Sequence, residues 1–193
     1  ERHYKHYQTI TISFDMIKTI ITAVVLVITI IPAKNVLAQA SSATQMVKIH
    51  LEPTIQIMAP EKPNVNMGFN GINDYVQGIQ SSEQHFSVHS NKDFVVNVRT
   101  NTDIFTYSGN ANPAPQMPVS NILFLAITDN NTGGSTAGSF NSFTSLSSTT
   151  RNLLLNCKNG GNKTFAVNYK ANPGTSFPAG DYTVDVIYTA TQP

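Results

Sequence analysis

Met46-Val47-Lys48-Ile49-His50-Leu51-Glu52-Pro53-Thr54-Ile55-Gln56-Ile57 is the stretch on which the fold turns. Its odd positions hold Val47, Ile49, Leu51, Pro53, Ile55 and Ile57. Its even positions hold Met46, Lys48, His50, Glu52, Thr54 and Gln56. Successive side chains of a strand point to opposite faces, so an apolar residue at every second position marks a strand with one buried face. Pro53 lacks a backbone donor and belongs at an edge or a bend. The stretch therefore predicts two short edge strands in line, with a kink between them. Val47, Ile49, Leu51, Ile55 and Ile57 form one aliphatic face that has to pair with a sheet. That sheet is either the chain's own, with the stretch as its first strand, or a neighbour's, by addition of a strand.

The same period recurs downstream, between turn signals. Strands are predicted at Asn64–Phe69, His85–His89, Phe94–Arg99, Ile104–Tyr107, Ile122–Thr128, Leu153–Cys157, Thr164–Tyr169 and Tyr182–Ala190. Ile122–Thr128 is nearly all apolar, which fits a strand covered on both faces. Asn159-Gly160-Gly161-Asn162 reads as the turn of a hairpin joining the strands on either side of it. No 3.6-residue period is visible after residue 40. Eight or nine short strands over residues 41–193 predict an all-β domain, an immunoglobulin-like antiparallel β-sandwich of about seven to nine strands, with a closed barrel as the alternative. Two loops stand out. Residues 109–120 carry Pro113, Pro115 and Pro118, and residues 129–150 are rich in Ser, Thr, Gly and Asn. Phe140, Phe143 and Leu146 in the second loop predict that part of it folds back as an edge strand.

Ahead of this body lies a targeting pattern. Met16-Ile17-Lys18 is followed by the uncharged run Thr19–Ile31, TIITAVVLVITII, and then by Ala38-Gln39-Ala40. A basic start, a short apolar run and a small-residue site read as a secretory signal peptide over residues 16–40. The apolar run is shorter than the roughly 20 residues that a membrane-spanning helix needs. Residues 1–15 read as an upstream leader that the exported protein lacks. Residues 41–193, as one domain, hold eight Lys and Arg against nine Asp and Glu, a formal net charge of −1.

Composition removes several classes of function. Of the 193 residues, 12% are charged, against a usual share of about 25%. No basic patch for nucleic acid is apparent. The single cysteine, Cys157, cannot close an internal disulfide, and it reads as a buried, inert thiol on the face of Leu153 and Leu155. His85 and His89 lie about 13 Å apart on a strand, too far to share one ion. Asp129-Asn130-Asn131-Thr132-Gly133 has oxygen ligands but no closing Glu, and reads as a turn rather than a calcium loop. No G-x-S-x-G elbow is present. Asp181 and Asp185 lack the apolar surroundings that prepare an acid–base pair. No cofactor, metal or catalytic residue is predicted.

The closing segment, Phe177-Pro178-Ala179-Gly180-Asp181-Tyr182-Thr183-Val184-Asp185-Val186-Ile187-Tyr188-Thr189-Ala190, resembles the last strand of secreted bacterial fimbrial-type and spore-coat-U-like domains. Val88-His89-Ser90-Asn91-Lys92-Asp93-Phe94-Val95-Val96-Asn97-Val98 is similar to a strand pair of such domains. Together with the alternating N-terminal stretch, these cover about 35 residues. The chain departs from the spore-coat family by lacking its paired cysteines, and from lipid-anchored pilins by lacking a lipobox cysteine. The resemblance implies a sandwich domain of pili or surface layers, with strand exchange as a route of assembly and no catalytic residues.

The expected function is that of a secreted, non-enzymatic structural subunit of a bacterial surface fibre or coat. Its partners are copies of itself or other surface subunits joined by strand pairing, with no nucleic acid and no membrane after signal cleavage. The alternative is a secreted adhesive or carbohydrate-binding module that uses the 109–120 and 129–150 loops. N-terminal sequencing of the exported protein is expected to begin at Ser41 or Gln39. A mature chain retaining Thr19–Ile31 would make that segment an anchor instead.

Overall fold

Strands that bury only one face need a second layer to bury it against. In the computed structural model of the protein, which describes Lys18 and residues 41–193, two antiparallel sheets supply those layers. Apart from Lys18, the predicted leader and signal peptide lie outside the described residues. The chain divides into two units, Glu1–Ile49 and His50–Pro193. In the first, residues 41–49 are exposed and belong to no strand. The second carries every described strand, and it is an antiparallel β-sandwich.

The first sheet contains β1 (Ile55–Met58), β2 (Ile79–Gln80), β3 (Gln84–Ser90), β6 (Leu123–Asn130), β8 (Thr144–Ser145) and β10 (Gly160–Ala171). Its order is β1-β3-β10-β6-β8, with β2 added at the end of β10. The second contains β4 (Phe94–Thr100), β7 (Ser135–Thr136), β9 (Arg151–Cys157) and β12 (Val186–Thr191), in the order β12-β4-β9-β7. A separate ribbon pairs β5 (Thr106–Ser108) with β11 (Asp181–Thr183). The core lies between the two sheets. Phe86, Val88, Phe165, Val167, Leu123 and Leu125 come from one side; Phe94, Val96, Val98, Leu153 and Leu154 come from the other. Alternation is clearest in β3 and β4, where buried residues occupy every second position.

Four sequence readings change. The predicted hairpin at residues 159–162 does not form. β9 pairs with β4 and β7, while β10 pairs with β3 and β6, so Lys158 and Asn159 carry the chain from one sheet to the other, and Gly160 already belongs to β10. An Asn-Gly turn fits a hairpin, but the strands on either side of it form their ladders with β4, β3 and β6 instead. The face assigned to Cys157 also shifts. β9 pairs with β4 through Phe94↔Cys157, Val96↔Leu154 and Asn97↔Asn152, with two irregularities. Each inserts one residue on β9, and each reverses the inside–outside order. Leu153, Leu154 and Cys157 are consequently buried, while Leu155 is only half-buried. Tyr182–Ala190 is two strands, not one: β11 joins the ribbon and β12 joins the second sheet. At the break Asn101 Oδ1 accepts from Asp185 N (3.1 Å), and Asn101 Nδ2 donates to Asp185 Oδ2 (2.9 Å). Asn64–Phe69 is not a strand, although Val65, Met67 and Phe69 still alternate as half-buried residues. A short helix, α1 (Ile72–Gln77), follows it. Its start is held by Asp74 Oδ2, which accepts from Asn70 N and Gly71 N.

The 129–150 loop folds back as its aromatic residues suggested. β7 and β8 add two-residue strands to the two sheets, and a 3-10 turn, η1 (Gly138–Asn141), lies between them. Phe140 and Leu146 reach the core. Asp103 ties this loop to the 109–120 side. It accepts from Ser148 N (2.8 Å) and Ser148 Oγ (2.7 Å), and those two donors hold its carboxyl below the usual range.

Cys157 is fully buried, and that burial pushes its thiol up from the ordinary value. Raised and enclosed thiols react slowly. The native protein is expected to resist thiol reagents until it unfolds, and Cys157→Ala to cost about 1 kcal/mol by chemical denaturation. Rapid labelling of the folded protein would contradict this placement.

Candidate functional site: an exposed apolar segment and an open sheet edge

Pro53 decides where the body begins to pair. It has no N–H to give, so ladder bonding starts only after it. Asn91, in the turn between β3 and β4, secures this entry point. Its Oδ1 accepts from Thr54 N (2.8 Å), and its Nδ2 donates to Glu52 O (2.7 Å). From there β1 pairs with β3 through Ile55↔Ser90 and Ile57↔Val88. Ile55 and Ile57 are half-buried against the core.

The predicted five-residue face is thus divided. Ile55 and Ile57 pair within the chain. Val47, Ile49 and Leu51 have no strand partner among the described residues: they are 76, 77 and 77% exposed, and Met46 is 92% exposed. Residues 41–54 form no strand. Between the three aliphatic residues lie Lys48 and His50, and Glu52 follows; His50 Nε2 and Glu52 Oε1 are 2.8 Å apart. The predicted first edge strand, Met46–Glu52, is therefore an unpaired stretch that keeps a strand's pattern. Scattered exposed apolar residues are ordinary. Three at alternate positions in an unpaired stretch are the pattern that strand addition uses.

β12 is an edge strand of the second sheet, and it pairs with β4 on one side only. Val186, Tyr188 and Ala190 lie opposite Thr100, Val98 and Val96, which are buried. Those three β12 residues are only half-buried. The end of β12 lies beside the start of β1, where Gln192 Nε2 donates to Thr54 O (2.8 Å) and Ser90 Oγ (2.9 Å).

Other places that could carry chemistry are occupied by structure. His85 and His89 both face away from the core. His85 Nε2 is 3.7 Å from Glu83 Oε2, and His89 Nδ1 accepts from Asn162 N (3.2 Å). In the Asp129 loop, Asn130 Oδ1 accepts from Thr132 N (3.1 Å) and Thr132 Oγ1 (2.6 Å), and Asp129 Oδ2 accepts from Asn131 Nδ2 (2.6 Å). These are turn bonds. Among the described residues no group of three or more His, Cys, Asp or Glu is placed to hold a metal ion. Asp181 and Asp185 are separated by the break between β11 and β12. An open groove of about 660 Å³ runs between residues 58–66 and the start of β3, lined by Met58, Pro60, Val65 and Phe86 and by polar residues such as Glu61 and Lys62. A shallower one, about 330 Å³, is lined by Phe69, Ile72, Tyr75 and Phe177. Sequence reading missed this second groove, because Phe177 is about a hundred residues from Phe69 and Tyr75 in the chain and only the fold joins them.

No protein-family model matches the chain, and no curated protein matches it.

Tyr188 also links the open edge to the core. Its hydroxyl lies 2.7 Å from that of Tyr169 on β10, in the opposite sheet. Burial pushes the Tyr169 phenol up to about 12 and the Tyr188 phenol well above its ordinary value. An unfolded chain releases these protons near pH 10, whereas the folded chain holds them longer. The Tyr169 contribution is complete below about pH 10 and is lost as the pH rises from there through about 12, and that of Tyr188 is lost in the same direction. In urea denaturation at a series of pH values, Tyr169→Phe/Tyr188→Phe is expected to lose less stability between pH 10 and 12 than the parent. Parallel curves would remove the pair from alkaline unfolding.

Proposed function

We propose that this chain is a secreted, non-enzymatic structural subunit of a bacterial surface fibre or coat, and that it joins its neighbours by donating the Met46–Leu51 stretch as a strand. The observation that carries this reading is the exposure of Val47, Ile49 and Leu51 at alternate positions of a stretch that has no partner in its own sheets. Burying each such side chain is worth roughly 1.5–3 kcal/mol relative to leaving it in water. Pairing with a neighbour recovers that energy and satisfies the backbone groups of the stretch. The signal-like segment at residues 16–40 supports export, and the low charge and nearly all-strand body suit a packed surface layer.

The second reading, an adhesive module for carbohydrate, draws on the groove of Phe69, Tyr75 and Phe177, with Asn70 and Thr175 on its lining. Aromatic faces beside amide and hydroxyl groups suit the apolar and polar sides of a sugar ring. A glycan-array signal from the native protein that is lost in Tyr75→Ala and Phe177→Ala is the result that would move the reading there.

The decisive comparison is between the parent and the triple variant Val47→Asp/Ile49→Asp/Leu51→Asp, each purified in its exported form. The parent is expected to form fibres or ladders of oligomers by electron microscopy and sedimentation. The variant is expected to stay monomeric, with body stability within about 0.5 kcal/mol of the parent, because the changed residues are exposed. Equal assembly of both proteins would overturn the proposal.

A further inference from the structure

We infer that the donated strand is accepted at the free edge of β12 in a second copy of this chain, where it closes the seam between β12 and β1. This rests on the reading of Met46–Leu51 as a donor strand, and adds to it a specific acceptor. Among the described residues, five strands of the two sheets pair on one side only: β1, β2, β7, β8 and β12. β2, β7 and β8 are two residues long, too short to template an added strand of six. β1 has four residues and is bracketed by Pro53 and Pro60. Short edges and flanking prolines are the usual devices that discourage pairing. β12 has neither. Its six residues, Val186-Ile187-Tyr188-Thr189-Ala190-Thr191, include no charge, no Pro and no Gly. An uncharged edge rich in β-branched and aromatic residues is a template for another strand.

The inner face of this edge is also the incomplete part of the core. Val186, Tyr188 and Ala190 are half-buried where their β4 partners are fully covered, and Ile55 and Ile57 are half-buried on the adjoining edge of the other sheet. A strand laid along β12 places alternate side chains over that seam. The donor matches it in length and in pattern. With Ile49 set opposite Tyr188, Val47 and Leu51 fall opposite Val186 and Ala190 in either strand direction. Lys48 and His50 then face outward with Ile187 and Thr189. A shift of one residue would put the charged and imidazole side chains against the core, so the register is strongly constrained.

The test uses two chains, each with one added cysteine on the outward face, mixed under assembly conditions and then oxidised. Cys157 stays in place because it is fully buried. One chain carries Lys48→Cys. The other carries Thr189→Cys, Ile187→Cys or, as the control at the rival edge, Gln56→Cys on β1. Directly opposed residues on neighbouring strands have Cβ atoms within reach of a disulfide. A covalent dimer on a non-reducing gel is expected with Thr189→Cys if the strands are antiparallel, or with Ile187→Cys if they are parallel. Little is expected with Gln56→Cys. Melting curves of each single variant matching the parent establish that the bodies are intact. Assemblies that link through Gln56→Cys, or that form normally and link at neither β12 position, overturn this inference and leave the fibre reading standing. A parent protein that stays monomeric throughout overturns both.

Discussion

Phe86 and Phe165 stack at 5.0 Å on neighbouring strands of one sheet, and Tyr188 of the other sheet closes on Phe86 at 4.4 Å between ring centres. This contact bolts the two layers together near their open side. Aromatic side chains bury large areas and favour offset or tilted pairs. The remaining core is mostly aliphatic and gains its cohesion from the alternation of β3, β4 and β10. Tyr188 thereby adds a side-chain attachment to the ladder that holds β12 on β4.

That attachment also explains why an edge can be left open without fraying. β12 is anchored inward by Tyr188 to Phe86 and Tyr169, and at its end by Gln192 to Thr54 and Ser90. An edge strand so fixed presents an uncharged free edge. The opposite rims of both sheets are finished differently. There the 129–150 loop supplies the two-residue strands β7 and β8 and buries Phe140 and Leu146. One side of the sandwich is thus sealed by a folded loop, and the other is bounded by β1 and β12.

Much of this was legible in the order of residues. A period of two has a single physical meaning, and together with the apolar run of Ile122–Thr128 and the turn signals it located the centres of β3, β4, β6, β9 and β10. It also marked Val47, Ile49, Leu51, Ile55 and Ile57 as one face. It could not say where that face divides, because pairing depends on which backbone groups meet a partner. Pro53 and the Asn91 side chain make the division at Thr54, and Asn91 is 37 residues away in sequence. The second aromatic groove was hidden for the same reason.

The sequence by itself determined the class of fold, since alternating apolar residues bounded by turn residues can be buried only as half-covered sheets. It also determined that 153–157 and 164–169 would be strands. Only the tertiary structure decided which strands become neighbours. The residues at 159–162 are good hairpin residues, yet β9 and β10 lie in different sheets, because longer ladders with β4, β3 and β6 outweigh one local turn. Likewise two irregularities in the β9 ladder, invisible to a period count, turned Leu154 inward and Leu155 partly out. Local pattern sets what each segment can bury; the competition among partners across the whole chain sets where it is buried, and which edge is left without one.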